Sequence, residues 1–229
     1  MREIILDTET TGLDPAKGDR LVEIGCIETL NQIPTGREFH HHIDPGRDMP
    51  EEAFRVHGLS TQFLTGKPEF HAVAVEFLAF IGDARLVIHN AEFDMRFLNA
   101  ELVRAGHPAI GNERVLDTLA IARRKFPGAS NSLDALADRF QVDRSRRDKH
   151  GALIDALILA EIYLELSGGR QTSLSLAPAL AREQRASGAP PAGAIRPLAL
   201  PPRLSEAERL AHAAFVATLG KDAIWKDYA

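Results

Sequence analysis

Ile4-Ile5-Leu6-Asp7-Thr8-Glu9-Thr10-Thr11-Gly12 is the stretch on which the reading of this chain turns. Its aliphatic start reads as a buried strand over Glu3 to Asp7, and Gly12-Leu13-Asp14-Pro15 reads as the turn that follows. Side chains alternate along a strand, so Asp7 and Glu9 fall on one face. Two carboxylates so placed repel, and one keeps a proton unless a cation sits between them. A divalent metal is the usual reason to keep such a pair. Taken alone, D-x-E is more simply two acids at a strand end, so the other ligands must come from elsewhere in the chain.

The bulk properties set the class. A chain of 229 residues, 45% hydrophobic and 26% charged, suits one globular domain with an appendage. No apolar run approaches the roughly 18 residues of a membrane span. The chain enters a strand at once, with no basic-then-apolar leader, so a cytoplasmic protein is expected. The single cysteine, Cys26, lies in an apolar segment and is expected to pack as a small hydrophobe. A net charge of -5 does not advertise nucleic-acid binding, although metals offset acidic ligands and basic residues can cluster locally.

Strands give way to helices along the chain, an α/β pattern. Further strands are expected over Leu21 to Thr29 and Arg37 to Ile43, forming an antiparallel meander with the first. Pro68 is expected to open a helix running to Ile81, with Phe70, Val73, Phe77, Leu78 and Ile81 at helical spacing. Leu86 to Ile88 and Val115-Leu116 read as two more strands, which makes a five-stranded mixed sheet flanked by helices. Those helices are expected over Glu92–Ala105, Asp117–Lys125, Ser132–Phe140 and Gly151–Leu166. Residues 178 to 202 then hold six of the thirteen prolines and few large apolar groups, the composition of an extended linker. A last helix is expected from Ser205, where Ser205 and Glu208 match a capping box, to a stop at Gly220.

Three positions complete a chemical constellation. Asp94 follows the strand Leu86 to Ile88 and can point back to the sheet edge that bears Asp7. Asp155 lies in an apolar helix, where a carboxylate is costly unless paired or metal-bound. His150 is five residues earlier, which does not align the two on a helix. It is therefore placed on the preceding loop, where it can reach a water bound to a metal that Asp155 also holds. Each has an ordinary explanation: a helix-start acid, a surface histidine, a satisfied buried pair. Their joint presence favours the functional one.

Together D-x-E-T-T-G, H-N-A-x-F-D and H-x(4)-D resemble the three motifs of the DEDD exonucleases in their histidine-containing branch. The resemblance implies a ribonuclease H-like fold. It also implies Asp7, Glu9, Asp94 and Asp155 as ligands for two divalent cations, Mg²⁺ or Mn²⁺, and His150 as general base. Such chemistry is consistent: phosphodiester hydrolysis builds negative charge that divalent ions offset, and a histidine titrating near neutrality can take the proton of water. The segment Pro50 to Leu59 resembles the same family and implies that Glu52 and His57 contact the terminal nucleotide, together with Thr8 to Gly12 and the ligands Asp7, Glu9 and Asp155. Phe93 is a candidate wedge against a base, and Asn90 a residue that orients loop or substrate. Arg144, Arg146, Arg147 and Lys149 form a basic run beside the site, able to meet phosphate.

Asn131 to Leu136, His150 to Leu153 and Gly168 to Leu174 are similar to the epsilon proofreading subunits of bacterial DNA polymerase III. That likeness implies removal of mispaired nucleotides from a DNA 3′ end, with an exonuclease domain over residues 1–168. It implies a sliding-clamp segment within 169–177, carried by Gln171 to Leu176, though this lacks the aromatic residue of a stronger clamp peptide. A linker over 178–204 and a segment over 205–229 that binds the polymerase alpha subunit complete the pattern, with Leu210, Phe215, Ile224 and Trp225 as anchors. A small accessory subunit is a further partner of such proteins; a membrane is not. A free-standing exoribonuclease or single-strand DNA exonuclease of the same superfamily is the rival reading, since the motifs do not choose the sugar. A non-catalytic adaptor is disfavoured by the intact set of five residues.

Overall fold

The computed structural model describes residues 1–145, 149–169 and 205–219. The chain divides into two compact units, Met1–Ser173 and Leu174–Ala229. Within the first, β1 (Arg2–Thr10) is the middle of a five-stranded sheet, with β2 (Leu21–Leu30) and β3 (Ile33–His42) on one side and β4 (Arg85–Ile88) and β5 (Val115–Asp117) on the other. β1, β2 and β3 pair antiparallel; β4 and β5 join parallel to β1. β4 and β5 end level with Leu6, so Asp7 and Glu9, farther along β1, lie where the segments leaving β4 and β5 emerge.

Alternation sorts the core into two layers. Ile4, Leu6, Ile24, Cys26, Leu86 and Ile88 face α3 (Phe70–Ile81) and α4 (Ala91–Arg104). Ile5, Ile27 and Val87 face α7 (Ala152–Leu166). Behind α7, α5 (Thr118–Lys125) and α6 (Leu133–Phe140) close the layer around Ala122, Leu136 and Ile162. Cys26 is fully buried and free, as its surroundings in sequence suggest.

Several expected boundaries move, each for a local reason. β1 does not stop at Asp7 but continues to Thr10, because Glu9 pairs with Glu23 and Thr10 with Leu21 across a bulge. β3 begins at Ile33 rather than Arg37. Asn31 and Gln32 both take positive φ (52° and 68°), giving a two-residue hairpin, and Pro34 is tolerated because β3 is an edge strand. Pro68 stands outside α3. Its carbonyl accepts from the Asp44 N–H at 3.0 Å, and Glu69 takes the N-cap. Two short helices, α1 (Glu51–His57) and α2 (Thr61–Leu64), fill a stretch to which the sequence assigns no helix.

In the second unit α8 (Glu206–Thr218) carries the complete capping box at Ser205 and Glu208, and Leu210 and Phe215 are exposed on it. Gly220, Ile224, Trp225, the segment Gln171 to Leu176 and the linker 178–204 lie outside the described residues, as do Arg146 and Arg147.

Gly25 is the residue that lets the two halves of the site meet. It pairs with Asp7 across β1 and β2. A Cβ there would fall under 3.0 Å from the Leu153 nitrogen and the Ala152 carbonyl. Only glycine allows the first turn of α7 to rest on the sheet beside Asp7. Gly25→Ala is expected to displace that turn and to cost about 1–3 kcal/mol, the range for forced overpacking. An unchanged urea midpoint in that variant would contradict the close approach.

Candidate active site

Asp7 and Glu9 rise from β1 on the α7 face, and the N-terminal end of α7 brings Asp155 to them. Asp155 is 3% exposed on an otherwise apolar stretch of helix. His150 sits just before α7, on the loop side of the extended N-cap Gly151 (φ -160°, ψ 128°). That extended residue folds the loop back over the first helical turn. The His150 Nδ1 consequently meets Asp155 Oδ2 directly at 3.1 Å, a closer relation than a shared water. Ligand atoms of Glu9, His150 and Asp155 all lie within 4.8 Å of one another.

Asp94 approaches from the opposite face. It is in the first turn of α4 and 3% exposed, and the Thr8 hydroxyl donates to its Oδ1 at 2.7 Å. Thr8 points to that face because it alternates with Asp7 and Glu9. Asn90, the N-cap of α4, takes a left-handed conformation (φ 66°), and its N–H donates to Asp117 Oδ1 at 3.1 Å. This turn at the end of β4 swings α4 back so that Asp94 faces β1.

The electrostatics are those of crowded carboxylates. Burial pushes the Asp7 carboxyl well above its usual range, and Asp94, Glu9, Asp155 and Glu23 push it further. Burial likewise raises Asp94, to about 7, although the Thr8 hydrogen bond opposes the shift. Hard oxygen donors this close, and reluctant to ionise together, match the needs of a small divalent cation.

A cavity of about 780 Å³ opens over this cluster, lined by Asp7, Glu9, His150 and Asp155 and, farther out, by His89, Asn90, Arg123 and Asn131. A second, of about 280 Å³, adjoins it at Thr8 and Glu9; Thr10 to Gly12, Glu52, His57 and Phe93 form its walls. Glu52 and His57 reach it because α1 ends against the strand. The His57 Nδ1 accepts from the Leu59 N–H at 3.0 Å, and burial lowers the pKa of the ring. Phe93 also packs on Phe97, so its ring serves both cavity wall and core edge.

Not all of the expected residues converge. Arg144 is tied to Asp134 at 2.8 Å and to Asp138, both on α6. Lys149 does stay beside the smaller cavity: it lies over the Phe54 ring of α1 at 4.9 Å, and its charge acts on His57. Other residues were not singled out from sequence. The His89 ring spans the Thr118 hydroxyl (2.9 Å) and the Asn131 carbonyl (3.0 Å), bracing the cavity wall. Glu23 lies under the start of α7 and influences Asp7. The H-N dipeptide after β4 was a usable signal for the first; nothing local marks the second.

A ribonuclease H-like sheet with acids at the end of its central strand defines the class, a nuclease architecture. A family profile described as Exonuclease matches residues 4–163. The DNA polymerase III subunit epsilon of Rickettsia felis is 55% identical over 179 residues, covering 77% of this chain and 78% of that protein. Its Escherichia coli K12 counterpart is 48% identical over 183 residues, covering 77% and 75%. Among solved structures, exonuclease X in complex with 5′ overhanging duplex DNA aligns with a TM-score of 0.58 at 25% identity, covering 72% of this chain and 90% of that one. Exonuclease I of E. coli, bound to a dT13 oligonucleotide, shares the fold with a TM-score of 0.61 at 18% identity, over 72% and 40%. The chain belongs to the exonuclease family, in the branch of the DNA polymerase III epsilon subunits. Among the described residues no helix is long and apolar enough to cross a membrane.

The raised carboxyls give a pH test. A carboxyl whose folded pKa exceeds its unfolded value contributes stability below the unfolded pKa and loses it as pH rises through the folded pKa. For Asp94 that window runs from 3.8 to about 7. In chelator, the melting temperature is expected to fall as pH rises across that window, and the fall should shrink in Asp94→Asn. A melting temperature that climbs over the same range would contradict the burial of these acids.

Proposed function

We propose that this chain is a 3′–5′ exonuclease that removes mispaired nucleotides from DNA 3′ ends in company with a replicative polymerase. The observation that carries the reading is the convergence of Glu9, His150 and Asp155 within 4.8 Å beside Asp7, whose carboxyl is pushed up by burial and by its acidic neighbours. Asp7, Glu9, Asp94 and Asp155 would hold two divalent cations, Mg²⁺ or Mn²⁺. When bound, such ions offset the charge that builds on the phosphoryl oxygens and on the attacking and leaving oxygens.

The chain's own residues account for the rest. With Nδ1 turned to Asp155, His150 is oriented to take a proton at Nε2 from the attacking water. The water oxygen bonds to phosphorus, and the bond from phosphorus to the penultimate nucleotide's O3′ breaks. Its ring is nearly half exposed, so the proton can pass on to solvent. The smaller cavity receives the terminal nucleoside between Phe93 and the Thr10 to Gly12 backbone, with Glu52 and His57 at its polar edge. That cavity admits one nucleoside, which suits an enzyme acting on ends. A mispaired terminus frays more readily, because less pairing energy must be given up to enter it.

The relatives named DNA polymerase III subunit epsilon support a polymerase partner. We assign that contact to residues 205–229, where Leu210 and Phe215 present apolar side chains on α8. Gln171 to Leu176 would bind the beta sliding clamp. A weak clamp contact is sufficient when a second contact tethers the chain. A small accessory subunit is a further candidate partner, and the setting is the cytoplasm.

Asp7→Ala and Asp155→Ala are expected to abolish Mg²⁺-dependent shortening of a 3′-labelled DNA oligonucleotide while leaving the far-UV spectrum unchanged. His150→Ala should lower the turnover number by roughly 10²-fold and remove from the pH-rate profile the acidic limb, along which a general base is lost to protonation. Wild-type rates in either acid variant would overturn the site. Comparable rates on matched RNA would favour a free-standing exoribonuclease. Deleting residues 178–229 should leave hydrolysis of single strands intact and remove capture of the polymerase subunit; retained tight capture would refute the tail assignment.

A further inference from the structure

A second group of metal-ligating side chains stands on the sheet outside the four carboxylates. His42 pairs with Glu23 and His40 with Gly25 across β2 and β3. Strand alternation therefore puts both rings on the α7 face with Glu23, while His41 turns to the other side, near Glu76 at 3.6 Å. Glu23 Oε1 lies 2.7 Å from His40 Nε2 and 3.7 Å from His42 Nε2. One atom from each of the three residues falls within 4.8 Å of the others.

We propose that Glu23, His40 and His42 form a binding site for a zinc-class divalent cation, separate from the Asp7, Glu9, Asp94 and Asp155 cluster. The donor set distinguishes the two. Carboxylates alone suit Mg²⁺ or Mn²⁺, whereas two imidazoles and one carboxylate suit Zn²⁺, Co²⁺ or Ni²⁺. Ligand atoms held at 2.0–2.1 Å around a tetrahedral ion stand about 3.3 Å apart. The separations of 2.7 and 3.7 Å bracket that figure, so small side-chain rotations suffice. The imidazoles are 32% and 26% exposed, which leaves room for a water as fourth ligand. Glu23 itself is 4% exposed and accepts the Ala152 N–H at the start of α7, an anchor that orients it as a ligand. The ion would fasten the edge strand β3 to the carboxylate that seats α7, the helix bearing Asp155.

The test uses the full chain carrying Asp7→Ala and Asp155→Ala, so that the catalytic cluster cannot report. Calorimetric titration with zinc chloride in excess Mg²⁺ is expected to show one Zn²⁺ bound with micromolar affinity and a raised melting temperature. Adding His42→Ala, or separately His40→Ala, should weaken binding roughly tenfold or more and cancel the thermal shift. Both rings are partly exposed on an edge strand, and a far-UV spectrum confirms that each variant folds. Absence of zinc uptake, leaving only a hydrogen-bonded Glu–His cluster, would overturn the proposal. So would uptake that neither histidine variant weakens.

Discussion

Four carboxylates gathered at the end of one central strand are the constraint around which the rest of the molecule is arranged. Burial, first of all, and then the like charges of Asp94, Glu9, Asp155 and Glu23 raise Asp7, and burial raises Asp94, so the cluster resists full ionisation. Nothing in apolar packing would select such an arrangement; it is retained against its cost. Several features serve it. β1 stays in the sheet past Asp7, so Glu9 is held rigidly. Asn90 adopts a strained turn that aims α4 at the strand. Gly25 gives up a side chain so that α7 can come down beside Asp7. Thr8 supplies the hydroxyl that holds Asp94 from the opposite face.

The two faces of the sheet divide the labour. The α7 face gathers Asp7, Glu9, Asp155 and His150 around one cavity. The smaller cavity, of about 280 Å³, lies at the meeting of β1 with α1 and α4. Thr8 and Glu9 border both cavities, so the two adjoin at the end of β1.

Much of this was legible in the sequence, because it depends on spacing. Aliphatic periodicity marks α3, α4 and α7 and the strands β4 and β5, and D-x-E on a strand fixes which face the two acids share. Features that depend on pairing across the chain were not legible. Glu23 reads as one acid in an apolar run until register sets it opposite Glu9 and beneath Ala152. The direct His150–Asp155 contact needs the extended Gly151, which five-residue spacing does not reveal. α1 and α2 are too short to show a helical period. The reach of β1 to Thr10 runs against its polar composition, and pairing with β2 decides it. Arg144 illustrates the opposite error: a basic residue near the site in sequence is bound to α6 in space.

Protons are expected to occupy this carboxylate cluster until a divalent cation replaces them. Titrating the full chain with Mg²⁺ near pH 6.5, in buffers of different ionisation enthalpy, measures the protons released on binding. Release of about one proton or more per chain, abolished by Asp7→Asn, is the predicted result. Mg²⁺ binding with no proton release, or release that the Asp7 substitution leaves unchanged, would contradict it.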